Sequence, residues 1–391
     1  GGSISNNHAG GEFRLGNVVD QDAYGGGLAV GADTPVRLTG TTIDDNLAYN
    51  ANYSYGSTGG SAYGGGVYFD GSGPVELVNS WITGNEARGT NAYGVGRSAN
   101  AREAFGGGLA FGAGFGPDSQ ATVRNTTISG NLAYGGRARV MGRGQTALGG
   151  HAYGGGVYAQ GYRTFLLSNS TVSGNTVRGG NARAEFYDYG YVGTRGSGSA
   201  VGGDAFGGGL LVRLTGGGEA ELANATVTGN TAAGGDGTYV DFTTPTQERD
   251  GEDDGGGVVS NGTTRAVSTI IAGNTGGGAP DVLGSFTSDG NNLIGNGYGS
   301  AFTNGISGDI VGSTVAPVDP LLGPLQDNGG PTPTHALLSG SPAINAGSNP
   351  EVLDFDQRGT GFDRVQLDQI DIGAFELQDT PPTVTPIPDQ T

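Results

Sequence analysis

Carboxylates are the side chains of this sequence that are grouped closely enough to do chemistry. One group is the run ERDGEDD at residues 248–254, and a second begins with DFDQRG at residues 354–359. Calcium binds several oxygen atoms on a turning loop, so both groups are candidate Ca²⁺ sites. The alternatives are a solvated acidic surface for the run and arginine-paired turns for the later group. The candidate ligands are Asp250, Glu252, Asp253, Asp254, Asp354 and Asp356.

Catalysis on a polysaccharide would need residues that the sequence does not group. Asp44 and Asp45 are adjacent in TTIDDN, and adjacent side chains of a strand point to opposite faces, which does not suit a glycosidic bond. The sequence contains neither lysine nor cysteine, which excludes Schiff-base, P-loop and thiol chemistry. His8, His151 and His335 are too scattered for a triad or a zinc site, and His335 is expected to form a structural hydrogen bond. We therefore do not expect an enzyme.

A contact surface is the second kind of candidate. Five inserts rich in Gly, Ala, Tyr and Arg recur along the chain, for example RGTNAYGVGRSANAREAF. Binding residues are often on loops, and Tyr with Arg is a favourable contact composition. The alternative is that the inserts only cover one side of the fold. The residues of the predicted contact face are Tyr93, Arg97, Arg137, Arg139, Arg143, Tyr187, Tyr189, Tyr191 and Arg195.

A repeat has to position these groups. The string AYGGGVYF at 62–69 recurs in close variants, and each copy is followed by a string such as SWITGN at 80–85. The first glycine of a triplet precedes the closing Asn by 19 to 25 residues, whereas that Asn precedes the next triplet by 18 to 32. One half of the repeat is therefore a fixed structural unit, and the other half is an insert of variable length.

Apolar residues alternate within the fixed half, as in PVELVNSWITGN, which predicts strands. Three short strands of this length suit one coil of a solenoid whose strands stack about 4.8 Å apart. We predict an all-β, right-handed parallel β-helix with the Gly-rich inserts stacked on one flank. The triplet would let the backbone turn and pack closely where the insert re-enters the coil. An interior stack is predicted from Leu28, Val67, Leu109, Val157, Leu210 and Val258.

The Asn that closes each fixed half would fall in register from coil to coil. Side-chain amides stacked in this way can form a hydrogen-bonded ladder along a solenoid. The predicted ladder consists of Asn46, Asn85, Asn131, Asn175, Asn230 and Asn274.

A different pattern begins near residue 280. Its blocks are GNNLIGNG, the segment from VDPLLGPLQDNGG to PAINAG, DQRG and DIGAFE, in that order. This succession resembles a C-terminal module of large secreted bacterial β-helix proteins, described as a choice-of-anchor domain. The upstream repeats resemble, more loosely, Gly-rich adhesins of the polymorphic outer-membrane protein type. The resemblance implies a secreted or surface-attached bacterial protein with structural or adhesive work.

Three segments are predicted on this basis. Residues 1–279 would be β-helix repeats beginning within a repeat, and residues 280–377 would be the choice-of-anchor-like module. Residues 378–391, which contain PPTVTPIPDQT, would be a Pro-rich linker to a following domain.

Charge and composition restrict the partners. The formal charge of −19 opposes nucleic-acid binding, and no apolar run approaches the ~20 residues of a membrane helix. We expect an extracellular or cell-surface structural or adhesive protein that binds copies of itself or surface glycans. Open solenoid ends could stack such chains into a filament or surface layer. The alternative function is a β-helix that binds or cleaves polysaccharide.

Overall fold

The chain folds as an all-β parallel β-helix, as its sequence predicts. Successive coils add strands to the same parallel sheets, and the part of the chain that is described contains no helix. A computed structural model describes residues 2–10, 22–31, 33, 35–49, 54–55, 59–112, 120–142, 144–161, 164–185, 198–214, 216–240 and 247–378.

Two sheets form what we call the main column. Their β-branched and apolar residues alternate, so that one face of each strand packs inward. Sheet 1 consists of Gly2–Ser5, Thr41–Asp44, Trp81–Thr83, Thr127–Ser129, Thr171–Ser173, Thr226–Thr228, Ile270–Ala272, Leu293–Ile294 and Ile310–Val311. Sheet 2 consists of Leu28–Val30, Val67–Phe69, Leu109–Phe111, Val157–Gln160, Leu210–Arg213, Val258–Val267, Glu219–Ala223, Thr164–Ser168, Gln120–Arg124, Val75–Val78 and Val36–Thr39, with Val282–Gly290 paired to Val258–Val267.

Two further sheets face each other beside the main column and form what we call the neck. Small side chains fill the space between them, mostly stacked alanines such as Ala87 and Ala104. Sheet 3, before the glycine triplets, consists of Ala23–Tyr24, Ala62–Tyr63, Ala104–Phe105, Ala152–Tyr153, Ala205–Phe206 and Asp253–Asp254. Sheet 4, after the ladder Asn residues, consists of His8–Ala9, Leu47–Tyr49, Glu86–Arg88, Leu132–Tyr134, Thr176–Arg178 and Thr231–Ala233.

The inserts form two more parallel sheets beyond the neck, which we call the flange. The sequence predicts loops here, but alternating alanines such as Ala138 and Ala182 form a small core of their own. Sheet 5 consists of Ser54–Tyr55, Ala92–Val95, Ala138–Met141, Ala182–Glu185 and Gly237–Val240. Sheet 6 consists of Ala99–Asn100, Thr146–Leu148, Ser199–Val201 and Gln247–Arg249.

Stacks of identical positions fill the main column. The predicted interior stack is confirmed, because its six residues pair in register from coil to coil. All are fully buried except Leu28, which is half-buried in the first of these coils. A second stack on sheet 1 contains Ile43, Ile82 and Ile128. Each such side chain contributes roughly 1.5–3 kcal/mol by burial.

The glycines of a triplet are required for different reasons. Gly64 has a φ of 63°, the left-handed region that glycine adopts readily. A Cβ on Gly65 would lie 2.3 Å from the carbonyl oxygen of Gly107, in the next coil. The triplet therefore turns the chain and brings two backbones together, as predicted.

Glycines also hold the flange to the neck. The N–H of Gly180 donates to the carbonyl of Gly150 at 2.8 Å, and Gly150 donates to Gly136 at 2.9 Å. Residues 136 and 180 leave the neck, whereas residue 150 returns to it, so outgoing and returning segments alternate along the axis. A Cβ on Gly180 would lie only 1.8 Å from the Gly136 carbonyl oxygen. A side chain is therefore excluded at Gly180, whereas Arg102 and Thr90 occupy the column in an earlier coil.

The C-terminal part of the chain first extends the main column and then folds back over it. After Ile310–Val311, an antiparallel hairpin of Leu322–Gln326 and Thr334–Leu337 begins the return. The segment that follows lies on the outer face of sheet 1, which is why Thr127, Thr171 and Thr226 are buried.

Candidate functional site: the amide ladder, the flange face and the C-terminal seam

The six predicted ladder residues are joined by side-chain hydrogen bonds. The Nδ2 of Asn85 donates to Oδ1 of Asn131 at 2.9 Å, and Asn131 donates in the same way to Asn175. The backbone N–H of each Asn bonds the same oxygen, for example Asn131 to Asn175 at 3.0 Å. These amides are almost completely buried, so the ladder is an internal rib of the solenoid.

The ladder extends beyond the predicted residues at both ends. At one end Asn7 donates to Oδ1 of Asn46 at 2.9 Å. At the other, Asn274 donates to Oδ1 of Asp281 at 2.9 Å, and the second Asp281 oxygen accepts the N–H of Asn296. A carboxylate only accepts here, so it ends a chain of donors. Asp281 lies in AGNTGGGAPD, where nothing in the sequence marks it as part of the ladder.

The predicted contact face is partly assembled on sheet 5. Tyr93 and Arg139 are adjacent in register on the flange, and Arg97 lies exposed in the turn after Ala92–Val95. Arg137 lies at the base of the flange, where it contacts the ring of Tyr134 at 5.5 Å. The other members lie outside the described residues: Arg143, Tyr187, Tyr189, Tyr191 and Arg195.

The arginines of this face have partners within the chain. Arg139 and Arg183 both bond the carboxylate of Glu185, and the Arg139–Glu185 distance is 2.7 Å. Burial opposes ionisation, but the two guanidinium groups hold the pKa of Glu185 below its usual range. The arginines therefore stabilise the outer surface of the flange.

The acidic run at 248–254 caps free strand edges. Gly237–Val240 is the last strand of sheet 5, so its outward N–H groups have no further strand to bond. Oε1 of Glu248 accepts the N–H of Tyr239 at 2.8 Å, and Oδ1 of Asp250 accepts that of Gly237 at 2.9 Å. The run therefore satisfies the outward backbone N–H groups at the end of the flange.

The other proposed calcium ligands also have other partners. Glu252 pairs with Arg249, and Asp254 accepts the N–H of Ala279 at 3.0 Å. Asp253, in sheet 3, has its pKa raised by burial and by the neighbouring Asp254. Across the described ranges, no group of three or more Asp, Glu or His residues is arranged to hold a metal ion. Calcium binding by this run is not supported by the arrangement.

The later acidic group contributes to a buried charge cluster in the C-terminal segment. Asp354 is exposed, but Asp356 is fully buried and bonds Arg358 at 2.6 Å. The Arg358 guanidinium lies between the rings of Phe362 and Phe375, at 3.9 and 3.8 Å. Arginine pairing, the alternative that the sequence left open, is what the structure shows at Asp356.

Arg364 and Glu376 complete this cluster. Both are fully buried, and Arg364 Nη2 donates to the carbonyls of Asp371 and Gly373. Burial raises the pKa of Glu376 to about 8. Arg364 Nε lies 3.9 Å from Oε2 of Glu376, so the guanidinium opposes this shift.

A row of aromatic rings that was not predicted from the sequence lies along sheet 3. Neighbouring rings stack at 4.6 to 6.4 Å, with Tyr24 at the exposed end. Tyr68 and Tyr158 of sheet 2 lean against this row from across the glycine triplets. The sequence signal for this row is the Tyr or Phe that directly precedes the glycine triplet in most repeats. The row consists of Tyr24, Tyr63, Phe105, Tyr153 and Phe206.

The seam between sheet 1 and the C-terminal segment is polar and buried. Gln357 accepts from Thr171 at 2.6 Å and donates to Thr127 at 2.8 Å. The pattern continues towards the end of the column, where the N–H of Ala374 donates to Thr226 Oγ1 and that of Ser348 donates to Ser268 Oγ. His335 contacts Ser173, with Nε2 and Oγ 2.8 Å apart.

Comparison with known proteins adds no relative. No family model matches the chain, and no curated protein or solved structure matches it. Within the described part of the chain, no helix has the length and apolar character of a membrane span.

Proposed function

We propose that this chain is a structural part of an extracellular or cell-surface bacterial protein that works in adhesion and transmits mechanical force. The observation that carries the proposal is the seam along sheet 1. There the C-terminal segment is bonded to four successive coils, at Thr127, Thr171, Thr226 and Ser268. A force applied to this segment is therefore shared by several coils rather than borne by one strand.

The ladder supports the same proposal. Its bonds run along the solenoid axis, parallel to the backbone hydrogen bonds between coils. Networks of this kind in a low-dielectric interior rigidify a fold. A rod reinforced in this way suits a spacer that holds a binding part away from a cell.

The free edge of the last strand of sheet 5 indicates whether the chain pairs with copies of itself. Charged side chains on a free strand edge oppose pairing with another chain. Glu248 and Asp250 provide such charges at Gly237–Val240. We therefore favour an adhesive spacer over an end-to-end filament.

Two measurements test this function. Antibodies against the chain should label intact cells of the producing bacterium, and pulling on single molecules through the C-terminal segment should require high force. The variant Gln357→Leu, which removes the bonds from Gln357 to Thr127 and Thr171, should unfold at a lower force than the unaltered chain. Labelling confined to permeabilised cells, or release of the segment at low force in the unaltered chain, would overturn the proposal.

Polysaccharide binding is a second candidate, favoured by the aromatic row. The row is accessible to solvent at Tyr24. The hydroxyl of Tyr24 donates to Asp22, and Asp70 interacts with Tyr68 beside the row. Aromatic surface with a few oriented polar groups is typical of ligand sites. Retention on polysaccharide resins, compared between the unaltered chain and Tyr24→Ala, tests it. Equal retention of the two would count against the row as a binding surface.

A further inference from the structure

We propose that Ser173 and His335 form a nucleophile–base pair that accepts acyl groups from small activated esters. The inference is independent of the adhesive role. It rests on the seam, where His335 of the hairpin lies over the outer face of the strand Thr171–Ser173.

The hydrogen bonds of His335 fix its tautomer. Nδ1 lies 2.7 Å from the carbonyl oxygen of Gly323, which can only accept, so Nδ1 carries the proton. Nε2 is then the free acceptor, and it lies 2.8 Å from Oγ of Ser173. A hydroxyl bonded to a base whose other nitrogen is oriented by an acceptor is the arrangement of an activated serine.

The surroundings keep the imidazole in its basic form. Burial lowers the pKa of His335, and the bond to the Gly323 carbonyl only partly opposes this shift. The described contacts of His335 are with uncharged groups, Ser173 across the bond and Leu325 in the hairpin, and Ser173 is flanked in register by Ser129 and Thr228, which are also uncharged. The ring is therefore neutral near pH 7 and can take a proton.

The reaction balances without a co-reactant other than water. Oγ of Ser173 attacks the ester carbonyl carbon while its proton passes to Nε2 of His335. The ester C–O bond breaks, and the leaving oxygen takes that proton. Water then hydrolyses the acyl-serine, with His335 again taking and returning a proton.

The position of Ser173 restricts the substrate. Its side chain lies under the hairpin edge, with 6% of the residue exposed. Because so little of Ser173 is exposed, the expected substrates are small esters with a good leaving group, such as acetyl esters of acidic phenols.

Ser129 provides a matched control in the same chain. It occupies the equivalent strand position one coil earlier, in register with Ser173, and is similarly buried. Its hydroxyl accepts from Trp81 Nε1 at 2.9 Å and donates to Thr83. Neither of these partners is a base, so Ser129 should react as an ordinary serine.

The test measures acylation of the full chain by p-nitrophenyl acetate, with peptide mapping by mass spectrometry. We expect Ser173 to be acetylated at least tenfold faster than Ser129. The variant His335→Gln should slow the Ser173 reaction about a hundredfold, the size of a general-base contribution. Ser173→Ala should lose the acetylated peptide, whereas Ser129→Ala should leave the Ser173 rate unchanged.

The pH profile of the unaltered chain covers the case in which a variant does not fold. The rate at Ser173 should fall in the acid range, and only below the pH at which an ordinary histidine binds a proton, because burial lowers the pKa of His335. Equal labelling of Ser173 and Ser129, or a Ser173 rate that does not change with pH or with His335→Gln, would overturn the proposal. The contact would then only fasten the hairpin to sheet 1.

Discussion

Asn131 is bonded twice to the same atom of Asn175: its side-chain Nδ2 and its backbone N–H both donate to Oδ1, at 2.9 and 3.0 Å. The Oδ1 of each ladder amide therefore holds both the backbone and the side chain of the Asn in the coil before it. Loss of one amide leaves donors and acceptors of two neighbouring coils without partners.

The variant Asn131→Leu should destabilise the chain by about 3 kcal/mol, because it leaves several buried polar groups unsatisfied. The matched control is Asn7→Leu at the exposed end of the ladder, which should change stability by less than about 1 kcal/mol. Urea unfolding followed by circular dichroism measures both. Similar effects of the two substitutions would mean that the interior amides add nothing beyond ordinary surface polarity.

The variant Gly180→Ala should destabilise the neck by about 3 kcal/mol, because its Cβ would lie 1.8 Å from the carbonyl oxygen of Gly136. The control Gly278→Ala introduces the same methyl group at an exposed site, 3.8 Å from the nearest atom. It should change stability by no more than about 0.5 kcal/mol. The melting temperatures of the two variants decide whether the close backbone approach sets the requirement for glycine.

Replacing Glu248 and Asp250 together by alanine should cause association that grows with concentration, because the outer N–H groups of Gly237–Val240 would be freed for pairing. The unaltered chain should remain monomeric in analytical ultracentrifugation. A control that removes equal charge is Glu76→Ala with Glu252→Ala, since both residues pair with exposed arginines. If this control associates as strongly, net charge rather than edge capping would be responsible.

Stability should decrease as the pH rises from about 4.5 to about 8, through the contribution of Glu376. Burial raises the folded-state pKa of this carboxyl to about 8, so the folded chain binds a proton that the unfolded chain has released. The contribution is therefore fully present below the unfolded pKa and is lost as the pH passes the folded pKa. Thermal unfolding of the chain and of Glu376→Gln across this range checks it, because the variant should lack this component. Parallel pH profiles would show that Glu376 ionises normally.

The features of the fold that could be predicted from the sequence are those that recur with the repeat. Alternating apolar residues and a recurrent closing Asn report on strands and register, so the solenoid, the interior stack and the order of the ladder residues followed from local pattern. The strands of the flange were harder to recognise, because alanine and glycine give little contrast between inner and outer positions.

The remaining features depend on contacts between distant parts of the chain. Gln357 meets Thr171 across 186 residues, and the sequence around Gln357 gives no sign of that partner. Asp281 takes the place of an amide at the end of the ladder, where it accepts the last side-chain hydrogen bond, from Asn274. Only the folded chain shows that these two residues meet. For the acidic run the sequence leaves a calcium site and a solvated surface both open, because its composition is the same whether the carboxylates bind a cation, water or backbone N–H groups.

The glycine column of the neck has a consequence for how such a chain can diversify. The residues that cross the neck and the strands of sheets 5 and 6 keep their register from coil to coil, so the differences in insert length fall between the sheet 5 strand and the sheet 6 strand of an insert. Insert spans between 18 and 32 residues are accordingly accommodated on one unchanged column. Mutation can therefore lengthen, shorten or rewrite the outer rim while the inherited architecture stays constant, which makes the flange the evolvable part of the molecule.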